Sequence, residues 1–249
     1  MTAFLIFRLY GPLATWGDIA VGERRAGFSR PGKSAALGIV AAALGIERAD
    51  KDRQDRLAGG YGFAVRIDAP GQSLRDYHTA QTARRSDIKK LLKADPRPLT
   101  RKRLLSVEDP ETILSQRDYL ADALATVALW SRAEAPYDLV VIREALLHPR
   151  FALYLGRKSC PPALPLAPQV IENDDLSEAL NAYAPPTIEA FDAKRLNRRK
   201  HRIQLAWEDD VTAIVPMQRE QRRDAVRDRT RWLFAERHEK VAVLSPEET

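Results

Sequence analysis

Residues 154–161, YLGRKSCP, bring together side chains that bind or transform ligands. The segment holds a glycine, two adjacent cations, a hydroxyl and the chain's single cysteine: Gly156, Arg157, Lys158, Ser159 and Cys160. These residue types fit three interpretations, which are a nucleophilic cysteine, a loop that binds phosphate, and an ordinary turn after a strand. The rest of the chain decides between them.

Cys160 lacks the sequence surroundings of a catalytic cysteine. A nucleophilic thiol needs a base close in space, most often histidine, and the four histidines are scattered at positions 78, 148, 201 and 238. The two prolines that follow Cys160 offer no helix N-terminus to activate the thiol. The sequence therefore favours a partly buried structural cysteine.

Motifs for metals and nucleotides are absent from the sequence. There is no HExxH, no CxxC and no close cluster of histidines and carboxylates, so we expect no metal. GxxxxGK[ST] and GxGxxG are also missing, and Gly32-Lys33-Ser34 resembles only the end of a P-loop. We therefore expect no bound cofactor.

Phosphate binding suits residues 156–159 better. A glycine lets the backbone approach a ligand closely, and two cations with a hydroxyl supply donors for phosphate oxygens. A surface turn with two solvated cations is an equally weighted alternative. Tyr77, His78 and Trp16 could stack on unpaired bases, although packing is the commoner role for each.

Lys200 and His201 are the best match to a metal-free ribonuclease site. Such an enzyme needs a base for the 2′-hydroxyl and a cation for the developing charge. Adjacent residues on a strand point to opposite faces, which weakens this pair as one site.

Composition indicates a soluble chain with localised positive charge. The 249 residues are 45% hydrophobic and 30% charged, with a mean hydropathy of −0.38 and a pI near 9.5. Residues 84–103 hold nine Lys/Arg and two Asp, and residues 194–231 hold twelve Lys/Arg and six Asp/Glu. These segments are either solvated surface elements or an electrostatic footprint for phosphates.

Cellular location also follows from simple features of the sequence. The longest apolar run, at residues 35–46, is too short to span a bilayer. The N-terminus lacks a basic leader, and one cysteine excludes an internal disulfide. The sequence therefore predicts a cytoplasmic protein with no membrane association.

Hydrophobic periodicity predicts the main elements. Strands are expected at 4–10, 62–68, 74–79, 123–131 and 151–155. Helices are expected at 34–44 with Ser34 as the N-cap, at 136–147, and near 176–183, before basic strand-like segments. The basic segment 84–103 is predicted to project from the sheet. Without it, the order is a split βαβ pattern, which is a ferredoxin-like, RRM-like α+β arrangement.

Five stretches of the sequence, in this order, carry a family resemblance. They are LIFRLYGPLATWG, SRPGKSAALGIVAAALGI, LRDYHTA, SQRDYLADALATVALW and HPRFALYLGRKSCP. They resemble the Cas five family, also called CasD, which are RAMP-type subunits of the type I-E CRISPR surveillance complex, Cascade. The resemblance implies a ferredoxin-like palm at 1–165 with a basic thumb insertion at about 80–115. Residues 166–249 would then form a small, basic, β-rich C-terminal extension.

The resemblance also implies a non-catalytic role in RNA binding. Family members hold the 5′ handle of the guide RNA and contact the large subunit and the nearest backbone subunit of Cascade. The basic C-terminal segment could meet either RNA or target DNA.

The family likeness further suggests which residues bind RNA. Arg75, Tyr77 and His78 would line the handle-binding cleft where the thumb begins, and the segment before the first helix would place an anion at the helix N-terminus. The full set of expected RNA-binding residues is Arg30, Lys33, Ser34, Arg75, Tyr77, His78, Arg84, Arg85, Arg101, Lys102, Arg103, Tyr154, Gly156, Arg157, Lys158 and Ser159.

Two alternative functions stay open at this point. Relatives in another subtype cleave RNA, so the first is a metal-independent endoribonuclease acting on repeat RNA, with His78 or His201 as the base. The second is a generic RRM-like RNA-binding protein, which would expose aromatic residues along its central strands. The predicted central strands are aliphatic instead, at VRI and VAL.

Overall fold

The computed structural model describes residues 1–17, 22–186 and 203–244. Its strands are β1 (Thr2–Tyr10), β2 (Leu13–Ala14), β3 (Trp16–Gly17), β4 (Arg24–Arg25), β5 (Gly27–Phe28), β6 (Tyr61–Ala69), β7 (Gln72–Thr82), β8 (Glu111–Ala121), β9 (Leu124–Ser131), β10 (Gln169–Asn173), β11 (Ile203–Trp207), β12 (Gln218–Asp228) and β13 (Leu233–Leu244). Its helices are α1 (Lys33–Ala43), α2 (Lys51–Gly60), α3 (Arg85–Ala94), α4 (Arg101–Leu104), α5 (Leu139–Leu147) and α6 (Leu176–Ala182).

The chain divides into two compact units. The main unit comprises Met1–Trp16, Phe28–Ser73 and Tyr119–Thr249, and the small unit comprises Gly17–Gly27 and Leu74–Asp118. Strands β7 and β8 pair with each other and carry the chain into and out of the small unit. The basic segment 84–103 therefore belongs to the small unit.

A seven-stranded sheet organises the main unit, in the order β10-β1-β9-β6-β11-β13-β12. Each neighbouring pair of strands is antiparallel. Of the first four strands in that order, β1, β9 and β6 lie between residues 2 and 131, and β10 follows at residues 169–173. The last three strands all come from residues 203–244. The architecture is mixed α/β with mostly antiparallel sheets.

Strand β1 shows why the sheet is buried on both faces. Its odd-numbered residues Leu5, Phe7 and Leu9 belong to one apolar cluster, whereas Phe4 and Ile6 belong to another. This alternation follows from the two-residue period of a strand. Helices α1 and α5 contribute to the first cluster and helix α6 to the second, so helices cover both faces of the sheet around β1.

Local pattern located most of the longer elements correctly. The predicted strands at 4–10, 62–68 and 123–131 correspond to β1, β6 and β9, and the strand at 74–79 lies inside β7. The predicted helices correspond to α1, α5 and α6, although α5 begins at Leu139 rather than at Pro136. The basic strand-like segments include β11, β12 and β13.

The predicted strand at 151–155 was wrong. The main chain there bonds to other partners, because Phe151 N donates to Ala42 O and Leu155 N donates to Cys160 O. Phe151 and Tyr154 are also exposed. The strand that pairs with the other edge of β1 is β10, further along the chain.

The expected N-cap of the first helix was also wrong. Gly32 occupies the N-cap position, and Lys33 N donates instead to Asp224 Oδ2 on β12, at 2.8 Å. A Cβ at position 32 would collide with that carboxylate. The anion expected at this helix N-terminus is therefore a side chain of the protein itself.

Two further searches concern the described ranges only. Among residues 1–17, 22–186 and 203–244, no helix combines the length and apolar character needed to cross a bilayer. Within the same ranges, no three His, Cys, Asp or Glu side chains are grouped as a metal site would require.

Candidate nucleic-acid interface

The loop at residues 154–160 is held tightly against the segment that follows β1. Thr15 N donates to Leu155 O at 3.0 Å, and Leu155 N donates to Cys160 O at 2.7 Å. Cys160 N in turn donates to Arg157 O at 2.9 Å, which closes a turn around the two cations. These bonds fix the backbone of the loop at both of its ends.

Gly156 is required by this geometry. Its φ angle is +90°, which side-chain-bearing residues rarely adopt, and a Cβ there would collide with Thr15 O. The expected close backbone approach at Gly156 is therefore made to the protein's own Thr15.

Arg157 is the least satisfied side chain of the loop. Its guanidinium lies 4.9 Å from the ring centroid of Tyr119, an arrangement that favours a cation over an aromatic face. Its Nη1 atom is buried and has no hydrogen-bond partner among the described residues. Lys158 and Ser159 are exposed beside it, whereas Cys160 is buried, as expected for a structural cysteine.

In the small unit, Tyr77 and His78 lie on strand β7. Tyr77 is 58% exposed, and His78 is exposed with Nδ1 3.3 Å from Asp76 Oδ2. Arg75 Nε donates to Asp118 Oδ1 at 2.7 Å, and this bond lowers the pKa of Asp118 below its usual range. The aromatic pair is accessible, whereas Arg75 has a carboxylate partner.

The basic segment of the small unit contains cations with different roles. Arg85, Arg101 and Lys102 are exposed, and Arg84 is paired with Asp109 at 2.8 Å. Arg103 donates instead to main-chain carbonyl oxygens at the end of α3 and in the loop after it, which are those of Leu91, Asp95, Arg97 and Pro98. Arg103 therefore stabilises the segment.

Arg30 and Lys33 lie inside the main unit, although both were expected to bind RNA. Arg30 Nη2 lies 2.6 Å from Glu220 Oε2 and 2.5 Å from Glu239 Oε1. Lys33 Nζ lies 2.8 Å from Glu208 Oε2. Burial lowers the pKa of Lys33, and the nearby Glu208 carboxylate opposes that shift. A phosphate could reach either cation only by displacing a buried carboxylate.

The neighbouring strands β12 and β13 complete this buried charge cluster. Arg237 Nε and Nη2 both reach the Asp224 carboxylate, and Arg222 Nη2 donates to Arg30 O at 2.7 Å. Burial alone would raise the pKa of Glu239, but the charges of Arg237, Arg30 and Arg222 outweigh it and lower that pKa. The cluster joins the start of α1 to the β12–β13 hairpin.

Sequence reasoning missed an exposed aromatic residue in the turn between β12 and β13. Trp232 is 55% exposed, and the guanidinium groups of Arg48 and Arg229 lie 4.2 Å and 5.3 Å from its ring centroid. The only signal in the sequence was an aromatic residue within an arginine-rich run. Lys200 and His201, the ribonuclease-like pair, lie outside the described residues.

Comparisons with known proteins agree on one family. Residues 4–240 match the family model described as CRISPR-associated protein (Cas_Cas5). The CRISPR system Cascade subunit CasD of Escherichia coli (strain K12) is 32% identical over 226 residues, covering 88% of this chain and 92% of that protein.

Solved structures show the same likeness. A chain of a CRISPR RNA-guided surveillance complex aligns with a TM-score of 0.63 and 25% identity, covering 96% of this chain and 89% of that one. A crystal structure of a Cas protein aligns with a TM-score of 0.62 and 25% identity, covering 99% and 97% of the two chains.

Proposed function

The chain belongs to the Cas5 family of CRISPR-associated proteins, and from this we propose that it is a non-catalytic subunit of a Cascade complex that holds the 5′ handle of the guide RNA. The CasD relative supports this role, because it is named as a Cascade subunit and aligns over almost its whole length. The surveillance-complex chain supports assembly with RNA.

The observation that carries the RNA-binding role is the state of Arg157. Its guanidinium lies over the Tyr119 ring, and its Nη1 has no hydrogen-bond partner among the described residues. The part of Arg157 that faces solvent, with the exposed Lys158 and Ser159 on the same loop, would donate to a phosphate oxygen of the handle. Tyr154 is also exposed there.

The small unit offers further contacts for RNA. Tyr77 and His78 provide exposed rings on which unpaired bases could stack, and Arg84, Arg85, Arg101 and Lys102 provide exposed positive charge. Arg30, Lys33 and Arg103 are not included in the proposed interface, because Arg30 and Lys33 are buried against carboxylates and Arg103 donates to main-chain carbonyls.

We also propose a ferredoxin-like palm within the main unit. The chain order β1, α1, β6, β9, α5, β10 and the sheet order β10-β1-β9-β6, with antiparallel neighbours, support it. The basic segment at about 80–115 would be the thumb, and residues 166–249 the C-terminal extension. Backbone and large subunits of Cascade would be the protein partners, in the cytoplasm and close to target DNA.

The two rival functions have weaker support. An endoribonuclease needs a base and a cation in one cleft. The candidate base His78 is exposed, and the charged side chain that it contacts is the carboxylate of Asp76, which is not a cation. A generic RRM-like protein would stack bases on the aromatics of its central strands, but residues Phe4–Tyr10 of β1 are buried under helices and loops. The site geometry therefore favours holding RNA over cutting it.

The decisive experiment uses the full-length protein with end-labelled cognate repeat RNA in EDTA, and scores both retention and cleavage. Retained, intact RNA is expected. The double variant R157A/K158A should bind on the order of tenfold more weakly, and its salt slope should fall by about 1.4 because about 0.7 is lost per single-strand phosphate contact.

A matched control removes the same charge elsewhere. Arg56 is exposed on α2 and Arg143 is partly exposed on α5, so R56A/R143A should leave the affinity and salt slope close to those of the wild-type protein. Equal affinities for the wild-type protein and R157A/K158A would overturn the assigned loop. A single discrete cut in the RNA would replace the holding role with a processing nuclease.

A further inference from the structure

Burial sorts the charges of the β12–β13 hairpin into two sets. The inward set includes Arg222, Asp224, Arg237 and Glu239, which are buried and paired with one another. The outward set consists of exposed residues, with four arginines against one carboxylate: Arg219, Arg223, Arg227, Arg231 and Glu236. Solvent therefore meets a basic surface, whereas the two arginines and two carboxylates of the inward set balance one another.

The turn of this hairpin holds Trp232 in an unfavourable backbone conformation. Asp228 Oδ1 accepts from Thr230 N at 2.9 Å and from Arg231 N at 3.1 Å, which fixes the turn. Trp232 follows with a φ angle of +55°. This left-handed conformation costs a residue with a side chain roughly 1–2 kcal/mol, and such strain clusters at functional sites.

Arg48 and Arg229 hold the indole in place. Arg48 lies over the Trp232 ring and also donates from Nε to Arg229 O and from Nη2 to Thr230 O, both at 3.1 Å. Arg229 approaches the same ring and donates from Nη1 to Ser34 O at 3.4 Å. More than half of the Trp232 side chain still faces solvent, so a preorganised aromatic surface stays available.

Helix α1 connects the hairpin turn to the segment that leads into the 154–160 loop. Arg229 Nη1 donates to Ser34 O in the first turn of α1, and Arg150 N and Phe151 N donate to Ala43 O and Ala42 O at its end. Both features belong to the main unit.

We propose that the turn and outward face of the β12–β13 hairpin form a second RNA-binding surface, on which Trp232 stacks an unpaired base of the guide RNA beside the handle and the outward arginines bind its phosphates. Charge complementarity selects a polyanion, and an exposed aromatic among arginines is the arrangement that binds single strands. The connection through α1 to the 154–160 loop selects RNA, and the inference rests on the proposed function of that loop.

Intrinsic fluorescence tests this surface directly, because Trp232 is the exposed member of the four tryptophans and Trp16, Trp130 and Trp207 are buried. Repeat RNA added to the full-length protein should quench the emission. W232A should bind this RNA about 5- to 150-fold more weakly, since one stacked base contributes about 1–3 kcal/mol. W232F should recover part of that affinity. R219A/R223A should reduce the salt slope by about 1.4.

The outcomes separate this proposal from the function of the loop. Tight RNA binding without quenching of Trp232, or RNA binding by W232A as tight as that of the wild-type protein, would overturn the proposed hairpin surface. Either result would leave the loop assignment intact. R157A/K158A should weaken binding yet retain the quench at saturating RNA. Oligo(U) and oligo(dT) of equal length compare the two nucleic acids, and tighter binding of oligo(dT) that W232A abolishes would overturn the assignment to RNA.

Discussion

Glu220 and Glu239 are direct cross-strand partners on β12 and β13, and both carboxylates bind the guanidinium of Arg30. Two like charges directly opposite each other on a sheet repel. Arg30 offsets that repulsion and connects the segment before α1 to the hairpin. Its position in the sequence, three residues before the first helix, had suggested an RNA ligand, but its contacts are those of a structural cation.

R30A should therefore reduce stability. Removing one partner of a buried ion pair leaves uncompensated charge and costs about 3–5 kcal/mol, here with two carboxylates affected. Urea unfolding of R30A should show this loss in the free energy of unfolding, whereas R85A, at an exposed position, should stay within about 0.5 kcal/mol of the wild-type protein. A fully stable R30A that loses RNA affinity would return Arg30 to the RNA interface.

Arg103 has a comparable structural role within the small unit. Because it donates to four main-chain carbonyls between Leu91 and Pro98, R103A should speed amide hydrogen exchange in residues 85–104 by at least about tenfold, the equivalent of one lost hydrogen bond of 1.4 kcal/mol. R101A is the control, since Arg101 is exposed. It should leave exchange unchanged and weaken RNA binding, and the reverse pattern would exchange the roles of the two arginines.

Whether a feature could be read from the sequence depended on how far apart its partners lie along the chain. Strand β1 was predictable because apolar, β-forming residues fill most of its nine positions. Helix α2 was missed because KDRQDRLAGG is polar and ends in two glycines, and its N-cap Asp50 is a weak local signal. The partners of Arg30 are 190 and 209 residues away, so no local pattern could separate it from an exposed cation.

The residues of the candidate site also differ in whether their signals are local in the sequence. Residues 156–159 stood out because glycine, two cations and a hydroxyl are contiguous. The exposure of Trp232 depends on a hairpin turn and on Arg48, which is far away in the chain. The sequence therefore indicated the loop but not the aromatic surface at Trp232.

The ionisation of Asp175 makes the free energy of unfolding depend on pH. It is the N-cap of α6, and its carboxylate accepts from Ser177 N at 2.7 Å, Ala213 N at 2.6 Å and Thr212 Oγ1 at 3.0 Å. Burial alone would raise the pKa of Asp175, but these hydrogen bonds outweigh it and lower that pKa below its usual range. The ionised form therefore contributes its full stability above about pH 4 and loses it as the pH falls through the lower native value.

D175A should consequently cost about 2 kcal/mol at pH 7, and the difference from the wild-type protein should shrink below about pH 4. Urea unfolding at pH 7, 5 and 3 measures it. A difference that stays constant down to pH 3 would show that the carboxylate charge does not contribute, and that the lost contacts act through shape alone.

Gly156 gives the sharpest test of how the fold positions the loop. G156A places a Cβ where Thr15 O already lies and at a φ of +90°, so we expect a loss of about 3 kcal/mol in the free energy of unfolding. The control is G59A on helix α2, where a Cβ meets no atom within 4 Å. Because alanine favours helix more than glycine by up to about 1 kcal/mol, G59A should be neutral or slightly stabilising.

The same pair of variants links the backbone to RNA. If Gly156 directs Arg157 and Lys158, G156A should weaken repeat-RNA binding at a temperature where it is fully folded, while G59A should bind like the wild-type protein. A folded G156A with wild-type affinity would mean that the two cations find phosphates without a fixed loop. In that case the binding would depend on charge alone, and neutralising any two exposed arginines of the main unit should weaken it equally.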